Sequence, residues 1–145
     1  MIEPPSGHPP PLRAQLHDGE ALDLLALAQE ICSRYRAEFP DEQERYGDAG
    51  IAWCVHDNQH LLNWAVAEQN GYGGFERQVS WLANVLEARD FPIDRLARDL
   101  EIAATVIEER LEAGAGALSA TLLDGARLVR SRSLDPPSGP AVAGA

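Results

Sequence analysis

The sequence has little positive charge. It contains no lysine, and its 12 basic residues are outnumbered by 23 acidic ones, which gives a formal net charge of -11. Nucleic acids and anionic membranes are bound largely through clustered basic side chains, and the sequence has no sizeable basic patch. The composition therefore argues against a general nucleic-acid-binding protein and against a protein that binds membrane surfaces.

Long apolar runs are also missing. A membrane-spanning helix needs roughly 20 consecutive apolar residues, and no run in the sequence approaches that length. The first residues, MIEPPSGHPPPLR, lack the basic start and the apolar stretch of a secretory signal. We therefore expect a soluble protein located in the cytoplasm.

Cysteine is scarce. The chain has two cysteines, Cys32 and Cys54, and they do not form a CxxC pair. Disulfides are typical of small secreted proteins with many cysteines, and this composition is different. The sequence predicts that both residues are reduced thiols.

Prolines are concentrated near the two ends of the chain. Residues 1–17 and 133–145 are rich in proline and glycine and poor in residues that could form a core. Such segments gain too little from burial to offset the entropy lost on ordering. We predict two disordered tails and a single domain over residues 18–132, because 145 residues are the length of one ordinary domain.

The apolar residues between the tails recur at intervals of three and four. No run shows the strict alternation that is typical of a half-buried strand. The pattern predicts an all-α fold without a sheet. Short connections between the helices favour an up-and-down bundle of four to five helices.

Capping residues suggest where the helices begin and end. Asp18 is a candidate N-cap for the first helix, and the second is predicted from about Asp48 to Asn70, before Gly71. Pro92 suits the first turn of the fourth helix. The apolar stripe of the third helix is Phe75, Val79, Leu82 and Leu86, that of the fourth is Ile93, Leu96, Leu100, Ala103, Ile107 and Leu111, and that of the fifth is Leu118, Leu122, Ala126 and Val129.

The stretch WCVHDNQHLLNW, residues 53–64, lies in the predicted second helix. At 100° per residue, one side carries the expected core positions, and Trp53, Asp57, His60 and Trp64 line the opposite side. Two tryptophans on an outer side need a second burial partner. This partner would be another helix of the same domain, a second subunit or a ligand. The core side comprises Ile51, Cys54, Val55, Leu61, Leu62 and Ala65.

A metal site is a further alternative for the same helix. His56 and His60 are four residues apart, which brings both rings within reach of one cation, and Asp57 or Cys54 would add a third ligand. The stretch HDNQH has the histidine spacing of HExxH but lacks its glutamate, which excludes that protease motif. The competing reading is that both histidines lie on the surface or at the boundary of the core.

Catalytic motifs are not found. The loop NGYGG lacks the GK[ST] ending of a phosphate-binding loop, and the sequence has no GxSxG nucleophile elbow. The acidic runs DEQER and IEERLE carry arginines at helical spacing, which is typical of solvated helix faces. We therefore expect a protein that is not an enzyme.

The segment FERQVSWLANVLEARDFPIDRLARDLEIAATVIEERL resembles the helical bundle that precedes cobalamin-binding domains in bacterial sensory and regulatory proteins. This resemblance implies an all-helical regulatory module, which in some members lies over the upper face of the cofactor with a tryptophan and a histidine. The sequence has no DxHxxG loop, so either a partner would carry the cobalamin or the module would have lost the cofactor. The matching residues are Phe75, Val79, Trp81, Leu82, Val85, Leu86, Arg89, Pro92, Leu96 and Leu100.

Two classes of function follow from these features. The first is a non-catalytic regulatory module that associates with a partner protein, or with itself as a homodimer, through Trp53 and Trp64. The second is a sensor that binds a metal, a cobalamin-like cofactor or another small molecule in a pocket between helices, where helical bundles usually place such sites. The sequence does not identify the cofactor or the partner.

Overall fold

The computed structural model describes residues 9–17 and 19–134, and this part of the chain is mainly helical, as predicted. Neighbouring helices pack together around one apolar core. The up-and-down order of the helices stays a prediction. The elements are β1 Arg13–Gln15, β2 Ala21–Asp23, α1 Leu24–Glu38, α2 Glu42–Gln69, α3 Phe75–Ala88, α4 Ile93–Arg110 and α5 Ala115–Leu134.

A short hairpin precedes α1, so the prediction of a fold without a sheet was wrong. Strands β1 and β2 pair antiparallel, with Ala14 opposite Leu22. Each strand has only three residues, which is too short for an alternating pattern to be recognised. Leu22 and the turn residue Leu16 are buried. The hairpin closes one end of the core and places residues 13–15 in the fold, although they were assigned to a tail.

Helix α1 starts later than predicted. Its N-cap is Asp23, whose carboxylate accepts a hydrogen bond from the Ala26 backbone N–H at 3.0 Å. The predicted cap, Asp18, lies outside the described residues, as do residues 1–8 and 135–145 of the two predicted tails. Among the described residues, no helix is both long and apolar enough to cross a membrane.

Helix α2 starts earlier than predicted and is kinked near its beginning. Gly47 has φ 62° and ψ −158°, a conformation that is essentially restricted to glycine. The guanidinium of Arg36 donates to the Gly47 carbonyl at 3.1 Å and so holds the kink against α1. The kink turns the first residues of α2, from Glu42, toward the N-terminal end of α4.

The core contains the predicted stripes of α3, α4 and α5, except that Ile93 and Leu111 at the two ends of the α4 stripe are only partly buried. Leu82 and Leu100 are among the largest fully buried side chains. The predicted core side of α2 is only partly correct, because Ile51 is 42% exposed. It lies in the first regular turns after the Gly47 kink, and the buried residues of α2 beyond the kink begin at His56.

Candidate ligand-binding site

A cavity of about 330 Å³ lies between α1, α2, α3 and α4. Its wall combines aromatic and aliphatic side chains with three carboxylates, from Glu42, Asp57 and Asp99. This volume is at the lower end of the range for small-molecule sites, and such sites are typically apolar with a few polar groups. The cavity is the candidate functional site of this chain.

Aromatic rings form much of the wall. Tyr46 from α2 and Phe91 from the α3–α4 connection have their ring centroids 5.9 Å apart. Trp53 also lines the cavity, and the guanidinium of Arg89 lies 4.3 Å from the centroid of its indole. This distance is that of a cation–π contact. The indole Nε1 of Trp53 has no hydrogen-bond partner among the described residues.

Glu42 is the best-paired carboxylate of the cavity. Its Oε2 accepts hydrogen bonds from the Tyr35 hydroxyl at 2.8 Å and from Arg95 at 2.7 Å. Arg95 also donates to Asp41, at 2.9 Å to Oδ2. Burial, together with the bond to Glu42, raises the pKa of the Tyr35 hydroxyl well above its usual range. Tyr35 therefore acts as a hydrogen-bond donor and stays neutral.

Asp99 is the least-paired carboxylate. It is 6% exposed, and its Oδ1 accepts a hydrogen bond from Asn58 Nδ2 at 2.9 Å. None of the ion pairs formed by the described residues includes it. Burial raises the pKa of Asp99 from 3.8 to about 7, with Asp57 and Glu42 adding to the rise and the Asn58 hydrogen bond opposing it. Near neutral pH the residue exchanges between the acid and the carboxylate.

Asp57 is a second carboxyl group whose ionised form is disfavoured by burial. Its Oδ1 lies 3.1 Å from the Nδ1 of His56, and its side chain is 15% exposed. Burial raises the pKa of Asp57, while the hydrogen bond and charge of His56 and the charge of Arg89 oppose this shift. Asp57 and Asp99 thus place two carboxyl groups with disfavoured charges on the cavity wall.

A disulfide joins Cys32 of α1 to Cys54 of α2, so the prediction of two reduced thiols was wrong. The tertiary structure explains the difference, because packing of the two helices places the Cα atoms 6.0 Å apart. Cys54 borders the cavity, and Asn58 Nδ2 lies 3.5 Å from the sulfur of each cysteine. The amide of Asn58 thus connects the disulfide to Asp99.

The four residues predicted as one binding side of α2 are divided between two environments. Trp53 and Asp57 line the cavity, whereas His60 and Trp64 do not. His60 is buried with its ring 5.8 Å from that of Trp64, and Trp64 packs edge-on against Trp81 of α3 at 6.4 Å. The cavity therefore includes Trp53 but not Trp64.

The predicted metal ligands are brought together only in part. The rings of His56 and His60 lie 4.6 Å apart, and His56 contacts Asp57. Cys54 is in the disulfide and so cannot supply a thiolate. The part of the chain that the structure describes contains no group of three residues arranged to hold a metal ion.

Sequence reasoning missed several residues of the cavity. The clearest sequence signal belongs to Asp99, which follows Leu96 by three residues and precedes Ala103 by four, on the apolar stripe of α4. A carboxylate at a core position of an amphipathic helix is unusual and points to a special environment. No comparable signal identifies Glu42, because only the kink in α2 turns it inward.

Comparison with known proteins does not assign the site. No family model, curated protein or solved structure matches this chain significantly. Any functional conclusion therefore depends on the geometry of the cavity.

Proposed function

We propose that this chain is a non-catalytic regulatory module that senses a small molecule bound in the cavity between α1, α2, α3 and α4. The observation that carries this proposal is a cavity of about 330 Å³ that combines an aromatic wall with buried carboxylates. The wall is mostly apolar with a few polar groups, which is the composition of clefts that bind small molecules.

The position of the cavity suggests how binding would be sensed. Its walls come from four different helices, so a bound molecule would contact all of them at once. A ligand that binds only the folded state stabilises that state in proportion to its concentration and affinity. A partner that recognises the ordered arrangement of these helices would then respond to the ligand.

The proposal is tested by filling the cavity. Ala49 lines it, and Ala49→Leu would occupy part of its volume, whereas Ala52 is exposed on the same helix and provides the matched control Ala52→Leu. Indole and a panel of single-ring compounds are the probes, measured by thermal unfolding and by tryptophan fluorescence. We expect stabilisation of the wild type and of Ala52→Leu, and a loss of the effect in Ala49→Leu. Failure of every probe to stabilise the wild type would contradict the proposal.

Association with a partner protein is a second candidate. Trp81 is 41% exposed and contacts Trp64, so these two indoles present an apolar surface on α2 and α3. This surface would suit the role implied by the resemblance, in which the bundle covers a cobalamin carried by a partner. A corrin ring is much larger than the cavity and would have to use such an outer surface. Titration with hydroxocobalamin, followed by absorbance, tests this role.

A further inference from the structure

We propose that the cavity binds a small organic cation, a protonated amine with a compact apolar or aromatic body, and that Asp99 and Asp57 are its counter-ions. This inference rests on the proposed function and names the chemical class of its ligand.

The distribution of charge inside the cavity is the first argument. Arg95 is already paired with Asp41 and Glu42, so its charge is not available to Asp99. Asp99 is buried with a single neutral donor, Asn58, at 2.9 Å. A buried carboxylate without a cation is costly, and a ligand that brings a positive charge would remove this cost.

Asn58 provides a second, independent argument. Its side chain is 98% buried beside the cavity, and Nδ2 donates to the Cys54 carbonyl at 2.9 Å as well as to Asp99. Its Oδ1 accepts no hydrogen bond from the described residues. A buried acceptor without a donor is uncommon in proteins. Asn58 therefore gives Asp99 a neutral donor and no positive charge, and an ammonium group that reaches the carboxylate would supply the missing cation.

The aromatic wall is suited to the rest of such a ligand. Trp53 and Tyr46 expose ring surface to the cavity, and organic cations bind favourably to the faces of such rings. Trp53 already holds the Arg89 guanidinium at 4.3 Å, which shows that a cation approaches this indole. The volume of about 330 Å³ has room for a single-ring amine, since a cavity of about 150 Å³ is enough to bind benzene.

The carboxylates of the cavity would repel an anionic ligand. Such a ligand would approach Asp57, Asp99 and Glu42. Of the three arginines that line the cavity, Arg95 is in the ion pairs described above, Arg45 is paired with Asp41, and Arg89 lies over the indole of Trp53. The charged and titratable groups that line the cavity are Tyr35 from α1, Glu42, Arg45, Tyr46 and Asp57 from α2, Arg89 after α3, and Arg95 and Asp99 from α4.

The proposal makes binding dependent on pH. A bound cation favours the ionised form of Asp99, so binding near neutral pH should release a proton. Affinity for the amine should therefore rise between pH 6 and pH 8. Affinity for a neutral molecule of the same shape should stay constant or fall over this range.

The test uses three probes that share a phenyl body and differ in charge: phenethylamine, 2-phenylethanol and 3-phenylpropionate. Calorimetry at pH 7.5 should show that the amine binds wild-type protein at least tenfold more tightly than the alcohol and the acid. In Asp99→Asn, affinity for the amine should fall at least tenfold and affinity for the alcohol should change little. Asp124→Asn, at an exposed position on α5, is the matched control and should bind like the wild type. Circular dichroism would verify that Asp99→Asn retains its helices.

The possible outcomes separate the two proposals. If the alcohol or the acid binds the wild type as tightly as the amine, and Ala49→Leu blocks this binding, the cavity is a ligand site but the cation is the wrong class. Retention of amine affinity in folded Asp99→Asn would also overturn the role of Asp99 as counter-ion. If no single-ring probe of any charge binds, the proposed function fails and the cation proposal fails with it.

Discussion

Asp99 occupies a position on α4 that the helical periodicity reserves for an apolar side chain. Its neighbours on the stripe, Leu96 and Ala103, are buried as expected. Burial among these groups disfavours the charged carboxylate and raises its pKa from 3.8 to about 7. The folded chain therefore binds this proton more tightly than the unfolded chain does. This link between protonation and folding should be visible in the stability of the protein.

We predict that Asp99 makes the free energy of unfolding fall as the pH rises. The stabilisation from its proton is complete below about pH 4 and is lost as the pH increases through 7, with a magnitude on the order of 4 kcal/mol. Asp57, whose pKa is also raised, acts in the same direction. Urea unfolding at pH 4.5, 6 and 8 should show a weaker pH dependence for Asp99→Asn than for the wild type.

Other carboxylates have the opposite effect at lower pH and need a control. Hydrogen bonds from arginines lower the pKa values of Glu38, Asp41, Glu101 and Glu109, so their contributions are lost in acid. These contributions are common to the wild type and to Asp99→Asn, and they cancel in the difference. If both proteins show the same pH dependence between 4.5 and 8, the proposed protonation of Asp99 is wrong.

Core truncations provide a second prediction at the scale of the residue. Leu82→Ala and Leu100→Ala should each lower the free energy of unfolding by roughly 2 to 5 kcal/mol, through lost burial and a residual cavity. Trp81 is 41% exposed, and Trp81→Ala should cost less than either. Denaturant unfolding of the three variants measures these differences. Equal losses would show that Trp81 is buried more deeply than this structure has it.

At the scale of the element, the disulfide fixes α1 against α2. It links two residues that are 22 positions apart in sequence, and most of the effect of such a bond comes from restricting the unfolded chain. Cys54 also lies on the cavity wall, close to Asn58. The bond therefore supports the side of the cavity that holds the amide and Asp99.

We predict that replacing both cysteines, Cys32→Ala and Cys54→Ala together, lowers the free energy of unfolding by about 3 kcal/mol. Wild-type protein treated with a dithiol reductant should lose a similar amount. Thiol titration of protein purified in air and unfolded without reductant should detect no free thiol. Two titratable thiols in that sample would restore the original prediction of reduced cysteines.

At the scale of the whole molecule, the arrangement of exposed apolar side chains indicates whether the chain would self-associate. The large exposed apolar side chains of the described part of the chain are Leu12, Ile51, Tyr72 and Trp81. They come from the first strand region, α2, the α2–α3 loop and α3. Soluble monomers commonly expose apolar residues singly, and large contiguous patches are the usual sign of an interface.

The sequence predicted a homodimer through Trp53 and Trp64, with a monomer as the competing reading, and sedimentation distinguishes the two. Because Trp53 lines the cavity and Trp64 packs against the core, we expect the wild type to sediment as a monomer at micromolar concentration. We expect Trp53→Ala to alter binding of the aromatic probes without a change in mass. A wild-type dimer that dissociates in both Trp53→Ala and Trp64→Ala would show that these residues form an interface.

The sequence by itself determined the helical character, the acidic surface and most of the buried stripes. These features are local, because a helix with a period of 3.6 residues carries its apolar side in the spacing of its own residues. The positions of Leu82 and Leu100 follow from this spacing alone. The hairpin was missed because three-residue strands are too short to show a period.

Only the tertiary structure decided the disulfide, the cavity and the state of Asp99. Periodicity gives the direction of a side chain around its own helix, but it does not say which other helix lies opposite. Cys32 and Cys54 became partners because α1 and α2 pack together. Glu42 became buried because the chain bends at Gly47. The pKa of Asp99 depends on the groups that surround it, and these groups come from positions distant in the sequence.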